Sequence, residues 1–171
     1  MMLFARAKKM KAEGIDVVSL TAGEPDFPTP QIIKDAGIRA IQENFTKYTP
    51  NQGIPELLKA VAEKFRRDNN LHFEPSQILI SCGAKHSLYN ALMAVCNRGD
   101  EVIIPAPYWV SYPEMTKLVD ATPVIVKTSQ DHEFKITPSQ LRKAITKKTK
   151  AMIFCSPSNP TGTVYTREEI L

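Results

Sequence analysis

Apolar residues Ile54, Leu57, Leu58, Val61, Ala62 and Phe65 recur at intervals of three and four, and Pro55 suits a first helical turn. The spacing predicts an amphipathic helix. Gln31 to Asn44 carries a weaker version of the same pattern, and Phe4 to Glu13 is helix-like without a convincing cap before it. Farther along, Ile78-Leu79-Ile80 reads as a strand leading into a helix through Leu88, Leu92 and Val95 that closes at Gly99-Asp100. Val102-Ile103-Ile104 reads as a buried strand, Val124-Ile125-Val126 as another, Pro138 to Ile145 as a helix and Lys150 to Phe154 as a further strand. Helix and strand patterns alternate with no repeat and no low-complexity linker, which predicts an α/β domain with a mostly parallel sheet and flanking helices.

Composition narrows the partners. A chain of 171 residues with 43% apolar and 23% charged residues is ordinary for a soluble domain and can bury a sizeable core. The formal net charge of +4 is spread along helix-like faces, with no dense basic block, so neither nucleic acid nor membrane is expected as a partner. No apolar run approaches the ~20 residues that span a bilayer, and the start, Met1 to Lys9, lacks the apolar core of a signal peptide, which points to the cytoplasm. Cys82, Cys96 and Cys155 are odd in number and lack metal-type spacing, so reduced and mostly buried thiols are expected. His72, His86 and His132 are spaced neither as metal ligands nor as a nucleophile-base set, so surface or packing roles are expected for all three, with lining of the turn before the helix as the alternative for His86.

The most chemically suggestive segment is Cys155-Ser156-Pro157-Ser158-Asn159-Pro160-Thr161-Gly162, which follows the strand-like Lys150 to Phe154. Its prolines and glycine bend the backbone so that Asn159 is held at a strand's carboxyl end, where open α/β sheets bind ligands. Taken alone it reads equally well as an ordinary turn. It resembles the Asn-Pro-Thr-Gly loop of the fold-type I pyridoxal-phosphate enzymes, specifically the class I aminotransferases. Further segments match that family in the same order over essentially the whole chain: Thr21-Ala22-Gly23-Glu24-Pro25-Asp26-Phe27, Lys47-Tyr48-Thr49-Pro50-Asn51-Gln52-Gly53, Ser81-Cys82-Gly83-Ala84-Lys85-His86 and Pro107-Tyr108-Trp109-Val110-Ser111-Tyr112-Pro113. The pattern is most similar to the bacterial and archaeal aspartate and prephenate branch.

The resemblance implies pyridoxal 5'-phosphate as cofactor, with Tyr48, Gly83, Ala84, Lys85, Trp109 and Asn159 as its contacts. Gly23, Lys85, Trp109 and Asn159 are implied on the substrate side. From the residues themselves, Gly83-Ala84-Lys85 lies between a strand and a helix, where backbone N–H groups and the helix dipole favour a phosphate, or where a plain turn suffices. No dinucleotide-type glycine pattern supports a nicotinamide cofactor. Trp109, the only tryptophan, reads by itself as core and by resemblance as the cover of the pyridine ring. Lys85 reads by itself as a solvated lysine and by resemblance as the partner of a dicarboxylic substrate's distal carboxylate. Gly23 is a turn glycine or, by resemblance, a backbone contact to the substrate carboxylate. The tyrosine matching Tyr48 reaches the neighbouring subunit's cofactor phosphate in the family, which implies a homodimer.

Three groups that the chemistry requires are expected beyond Leu171: the Schiff-base lysine, an acid facing the pyridine nitrogen and the arginine that grips the substrate's α-carboxylate. No catalytic residue and no metal ligand is therefore assigned within the chain. Thr166-Arg167-Glu168-Glu169 is a capping-box pattern opening a helix two residues before the chain stops. The expectation is a piece of a longer enzyme, with residues 1–30 from a small domain and 31–171 from the first part of the large cofactor domain, inactive and aggregation-prone alone. The expected function is transfer of an amino group between an amino acid, aspartate or glutamate, and a 2-oxo acid. Another fold-type I activity, such as a carbon–sulfur lyase, or a non-catalytic regulatory domain are the alternatives.

Overall fold

The computed structural model describes residues 2–18, 20 and 23–171. Thr21 and Ala22 of the first family-like segment lie outside them. The chain divides into two compact units, Met1–Thr49 and Pro50–Leu171. The first holds helices α1 (Met2–Ala12) and α2 (Gln31–Gln42). In α2 the apolar positions Ile32, Ile33, Ile38 and Ile41 all remain exposed.

The second unit carries α3 (Pro55–Asn69), α4 (Ala84–Val95), β1 (Glu101–Ala106), α5 (Ser111–Leu118), β2 (Thr122–Lys127), α6 (Pro138–Ala144), β3 (Thr149–Met152) and α7 (Arg167–Ile170). The strands form one parallel sheet in the order β2-β1-β3. Central β1 is covered on both faces, which is why Val102, Ile103 and Ile104 form an unbroken apolar run with at most 1% exposure. Each such side chain contributes about 1.5–3 kcal/mol by leaving water. Around Val102 and Ile104 cluster Leu92 from α4 and Cys96 at its C-terminal cap, Tyr112 and Met115 from α5, and Val119 and Ala121 beyond it. The predicted α/β class with a mostly parallel sheet and flanking helices is what this unit adopts.

Several local expectations change. Ile78-Leu79-Ile80 is extended but belongs to no strand ladder among the described residues. Its polar groups are met instead by Gln52, whose Nε2 donates to the Ile78 carbonyl at 2.8 Å and whose carbonyl accepts from the Ile80 N–H at 2.9 Å. Strand β3 ends at Met152 rather than Phe154, although the Ile153 N–H still donates to the Ile103 carbonyl at 2.9 Å. Helix α5 was hidden by Pro113, which sits in its first turn, where a missing N–H leaves no helical bond unmade. Of the three thiols only Cys96 is buried; Cys82 is exposed, because it sits in the turn before α4 instead of in a ladder. The capping box at Thr166 forms, with the Glu169 N–H donating to Thr166 Oγ1 at 3.2 Å and the Thr166 N–H donating to Glu169 Oε2 at 2.7 Å. Among the described residues no helix is long and apolar enough to cross a membrane.

Candidate functional site

The order β2-β1-β3 places a topological switch point between β1 and β3: the chain leaves β1 for β2 on one side and returns to β3 on the other. In open parallel sheets the crevice outside the carboxyl ends at such a point is where ligands bind. Two loops flank it, one after β1 with Pro107, Tyr108 and Trp109, the other after β3 with Cys155 to Gly162.

In the first loop the Tyr112 N–H donates to the Trp109 carbonyl at 3.0 Å as the chain enters α5. The half-buried Trp109 indole packs edge to face with Tyr112, centroids 5.5 Å apart at 82°. The Lys85 Nζ lies 4.9 Å from the Trp109 ring centroid, a cation–π distance. Lys85 reaches it from the first turn of α4, whose N-cap is Gly83 with φ 84° and ψ 165°. In the preceding turn the Cys82 N–H donates to His86 Nδ1 at 3.2 Å and the Gly83 N–H to the Ser81 carbonyl at 2.8 Å. The Ala84 and Lys85 N–H groups meet no acceptor among the described residues, as the geometry of a helix start dictates.

The second loop is closed on itself. The Ser158 N–H donates to the Thr163 carbonyl at 2.9 Å, and the Gly162 N–H donates to the Ser158 carbonyl at 2.8 Å. Asn159 is exposed at the bend and lines a small cavity of about 20 Å³ with Tyr108, Tyr112, Cys155, Phe134 and Tyr165. Burial, and then the neighbouring Cys155 thiol, push the Tyr112 phenol up to about 12, so it stays neutral at any physiological pH.

The structure thus brings Lys85 to Trp109 directly, with Gly83 and Ala84 in the adjoining turn. Asn159 meets the same neighbourhood through Tyr112, which lines its cavity and carries the indole. Gly23 and Tyr48 belong to the first unit; a Cβ at Gly23 would meet nothing within 4 Å, and the Tyr48 side chain is fully exposed. Sequence reasoning passed over Tyr112 and Cys155 as site residues. Tyr112 follows Trp109 by three positions at a helix start, a spacing that puts two side chains on one face and was the available signal. Nothing local marks Cys155 or Tyr165.

A three-stranded parallel sheet of this order, flanked by helices, defines an open α/β domain, and comparison with known proteins specifies which. The chain belongs to the aminotransferase class I and II family, whose model matches residues 15–171. It is 57% identical over 166 residues to an aspartate aminotransferase of a Bacillus species, covering 97% of this chain and 42% of that protein. It is 56% identical over 165 residues to an aspartate/prephenate aminotransferase of Cereibacter sphaeroides, covering 96% and 41%. The structure superposes on the aspartate aminotransferase from Thermus thermophilus with maleate at a TM-score of 0.94 and 46% identity, over 99% of this chain and 44% of that one. The chain therefore spans about 42% of the length of the curated relatives it matches.

Proposed function

We propose that this chain is the part of a pyridoxal-phosphate aminotransferase that holds the cofactor and reads an acidic substrate, moving an amino group between aspartate or glutamate and a 2-oxo acid. The observation that carries the reading is the switch point itself: the Trp109 and Asn159 loops follow the adjacent strands β1 and β3, with the free amides of Ala84 and Lys85 on the helix that packs on α5. When bound, pyridoxal phosphate supplies an electrophilic carbonyl and an electron-withdrawing ring.

The residues present fit that group. A phosphate needs several N–H donors at a helix start with room in front of them; Ala84 and Lys85 have unmet N–H groups, and a Cβ on Gly83 would find open space within 4 Å. A flat ring needs an aromatic wall, and Trp109 is half-buried with one edge fixed on Tyr112. A phenolic oxygen needs a neutral donor, and the Asn159 amide is exposed at its loop's bend. Lys85 forms no ion pair among the described residues, so its charge is free for a substrate carboxylate; the Thermus thermophilus relative was solved with maleate, a dicarboxylate. In the same reading residues 1–30 belong to a small domain, residues 31–171 to the large one, and Gly23 meets the substrate carboxylate. The exposed Tyr48 serves the cofactor phosphate of a second copy in a cytoplasmic homodimer.

The test is amino transfer from aspartate to 2-oxoglutarate by the whole protein with pyridoxal phosphate, with a carbon–sulfur substrate such as cystathionine alongside. Transfer without lyase turnover is expected. Lyase turnover without transfer, or neither, would reject the proposal.

A further inference from the structure

Trp109 is only half-buried, so the core does not enclose it and something must fix the plane of its ring. Tyr112 is the group in position to do so. Tyr112 as a whole is 8% exposed and belongs to the cluster of Leu92, Val102, Ile104 and Met115. Its backbone is pinned twice, by its N–H donating to the Trp109 carbonyl at 3.0 Å and by Thr116 Oγ1, fully buried, donating to the Tyr112 carbonyl at 2.9 Å. A buried, pinned ring thus meets the half-buried indole edge to face at 5.5 Å, while the Lys85 ammonium sits 4.9 Å from the same indole's centroid. The far end of Tyr112 lines the cavity that Cys155 and Asn159 share.

We propose that Tyr112 is a positioning residue: it sets the plane of the Trp109 indole and sets through it the direction of the Lys85 ammonium. The inference rests on the reading of Trp109 and Lys85 as cofactor and substrate groups, and adds a residue that acts through them. An ammonium is held over a ring only while the ring's face is presented to it, so loosening the indole releases Lys85 as well. The ring of Tyr112 does the positioning, so Tyr112→Phe keeps it and Tyr112→Leu loses it.

Trp109 is the only tryptophan of these 171 residues, so its fluorescence is read alone in the whole protein once every tryptophan outside them is replaced by phenylalanine. Tyr112→Phe should match the wild type in emission maximum and acrylamide quenching. Tyr112→Leu should red-shift the emission and raise the displaced indole population roughly two- to tenfold, the factor set by losing an edge-to-face pair. Lys85→Met should alter the Trp109 lifetime in the wild-type and Tyr112→Phe backgrounds and have little effect in Tyr112→Leu. Far-UV circular dichroism checks that each variant is folded; if Tyr112→Leu is not, Tyr112→Met replaces it. In that single-tryptophan background, with Tyr112 and Lys85 unchanged, the whole protein should show nuclear Overhauser contacts from the Trp109 indole to the Tyr112 ring and to the Lys85 side chain. Wild-type quenching in a folded Tyr112→Leu or Tyr112→Met, an equal Lys85→Met effect in every background, or absence of those contacts would overturn the proposal. No cofactor enters these measurements, so their failure leaves the amino-transfer reading standing, and failure of that reading leaves the measured geometry standing.

Discussion

The same substitution should have opposite signs at two glycines of this chain. Gly83 has φ 84° and ψ 165°, a region essentially reserved for glycine, and a Cβ built there meets nothing within 4 Å. Gly83→Ala therefore adds no clash, and its whole cost is backbone strain of about 1–3 kcal/mol. Gly37 lies inside α2, also with nothing within 4 Å of a Cβ, and its φ is not in the left-handed region. There Gly→Ala removes unfolded-chain freedom and should stabilise by about 0.5–1 kcal/mol. Urea unfolding followed by circular dichroism reads both: with slopes of about 1–3 kcal/mol per molar, Gly83→Ala should lower its midpoint by roughly 0.5–2 M. If the turn relieves the strain by flipping, the loss moves from stability to phosphate, because the Ala84 and Lys85 amides turn away. Pyridoxal 5'-phosphate affinity of the whole protein then falls instead. A Gly83→Ala variant with wild-type stability and wild-type cofactor affinity would refute the assignment of that turn, and a destabilised Gly37→Ala would refute the strain argument that separates the two.

Lys85→Ala should lower kcat/KM for aspartate by about ten- to hundredfold, the worth of a hydrogen bond to a charged group, and barely change it for a neutral amino acid. Equal losses on both substrates would assign the effect to the phosphate turn. Asn159→Ala should shift the pH midpoint of the bound cofactor's absorbance change upward, because an amide donor favours the ionised phenolic oxygen; an unmoved midpoint in a spectrophotometric titration removes Asn159 from the site. Glu169 is held below its ordinary 4.5 by the Thr166 N–H and then by Lys135, and Lys135 is raised above 10.5 by Glu133 and Glu169. A depressed carboxyl stabilises fully above its unfolded value and loses that as pH falls through the folded one; a raised ammonium does the reverse at the alkaline end. Thermal midpoints should thus be level through neutral pH and decline below about 4.5 and above about 10.5, and Glu169→Gln should flatten the acid limb. An unchanged acid limb in that variant would show that the α7 cap is not held by this charge.

The sequence by itself determined most of the local structure: the stripe of α3, the buried run of β1, the Thr166 cap and the α/β class follow from periodicities a few residues long. The segments around Gly83, Trp109 and Asn159 stood out through their resemblance to the family's motifs, since from the residues alone they read equally as turns and core. Only the tertiary structure decided that β1 lies between β2 and β3, which creates the switch point. It also decided that Ile78 to Ile80 is held by Gln52 rather than by a ladder, that Ser111 to Leu118 coils through Pro113, and that the Lys85 ammonium rests on Trp109 with Tyr112 behind it. Strand order, ladder partners and the pairing of a cation with an aromatic ring 24 residues away depend on which distant segments close on one another, and loop closure leaves no periodic trace in the chain.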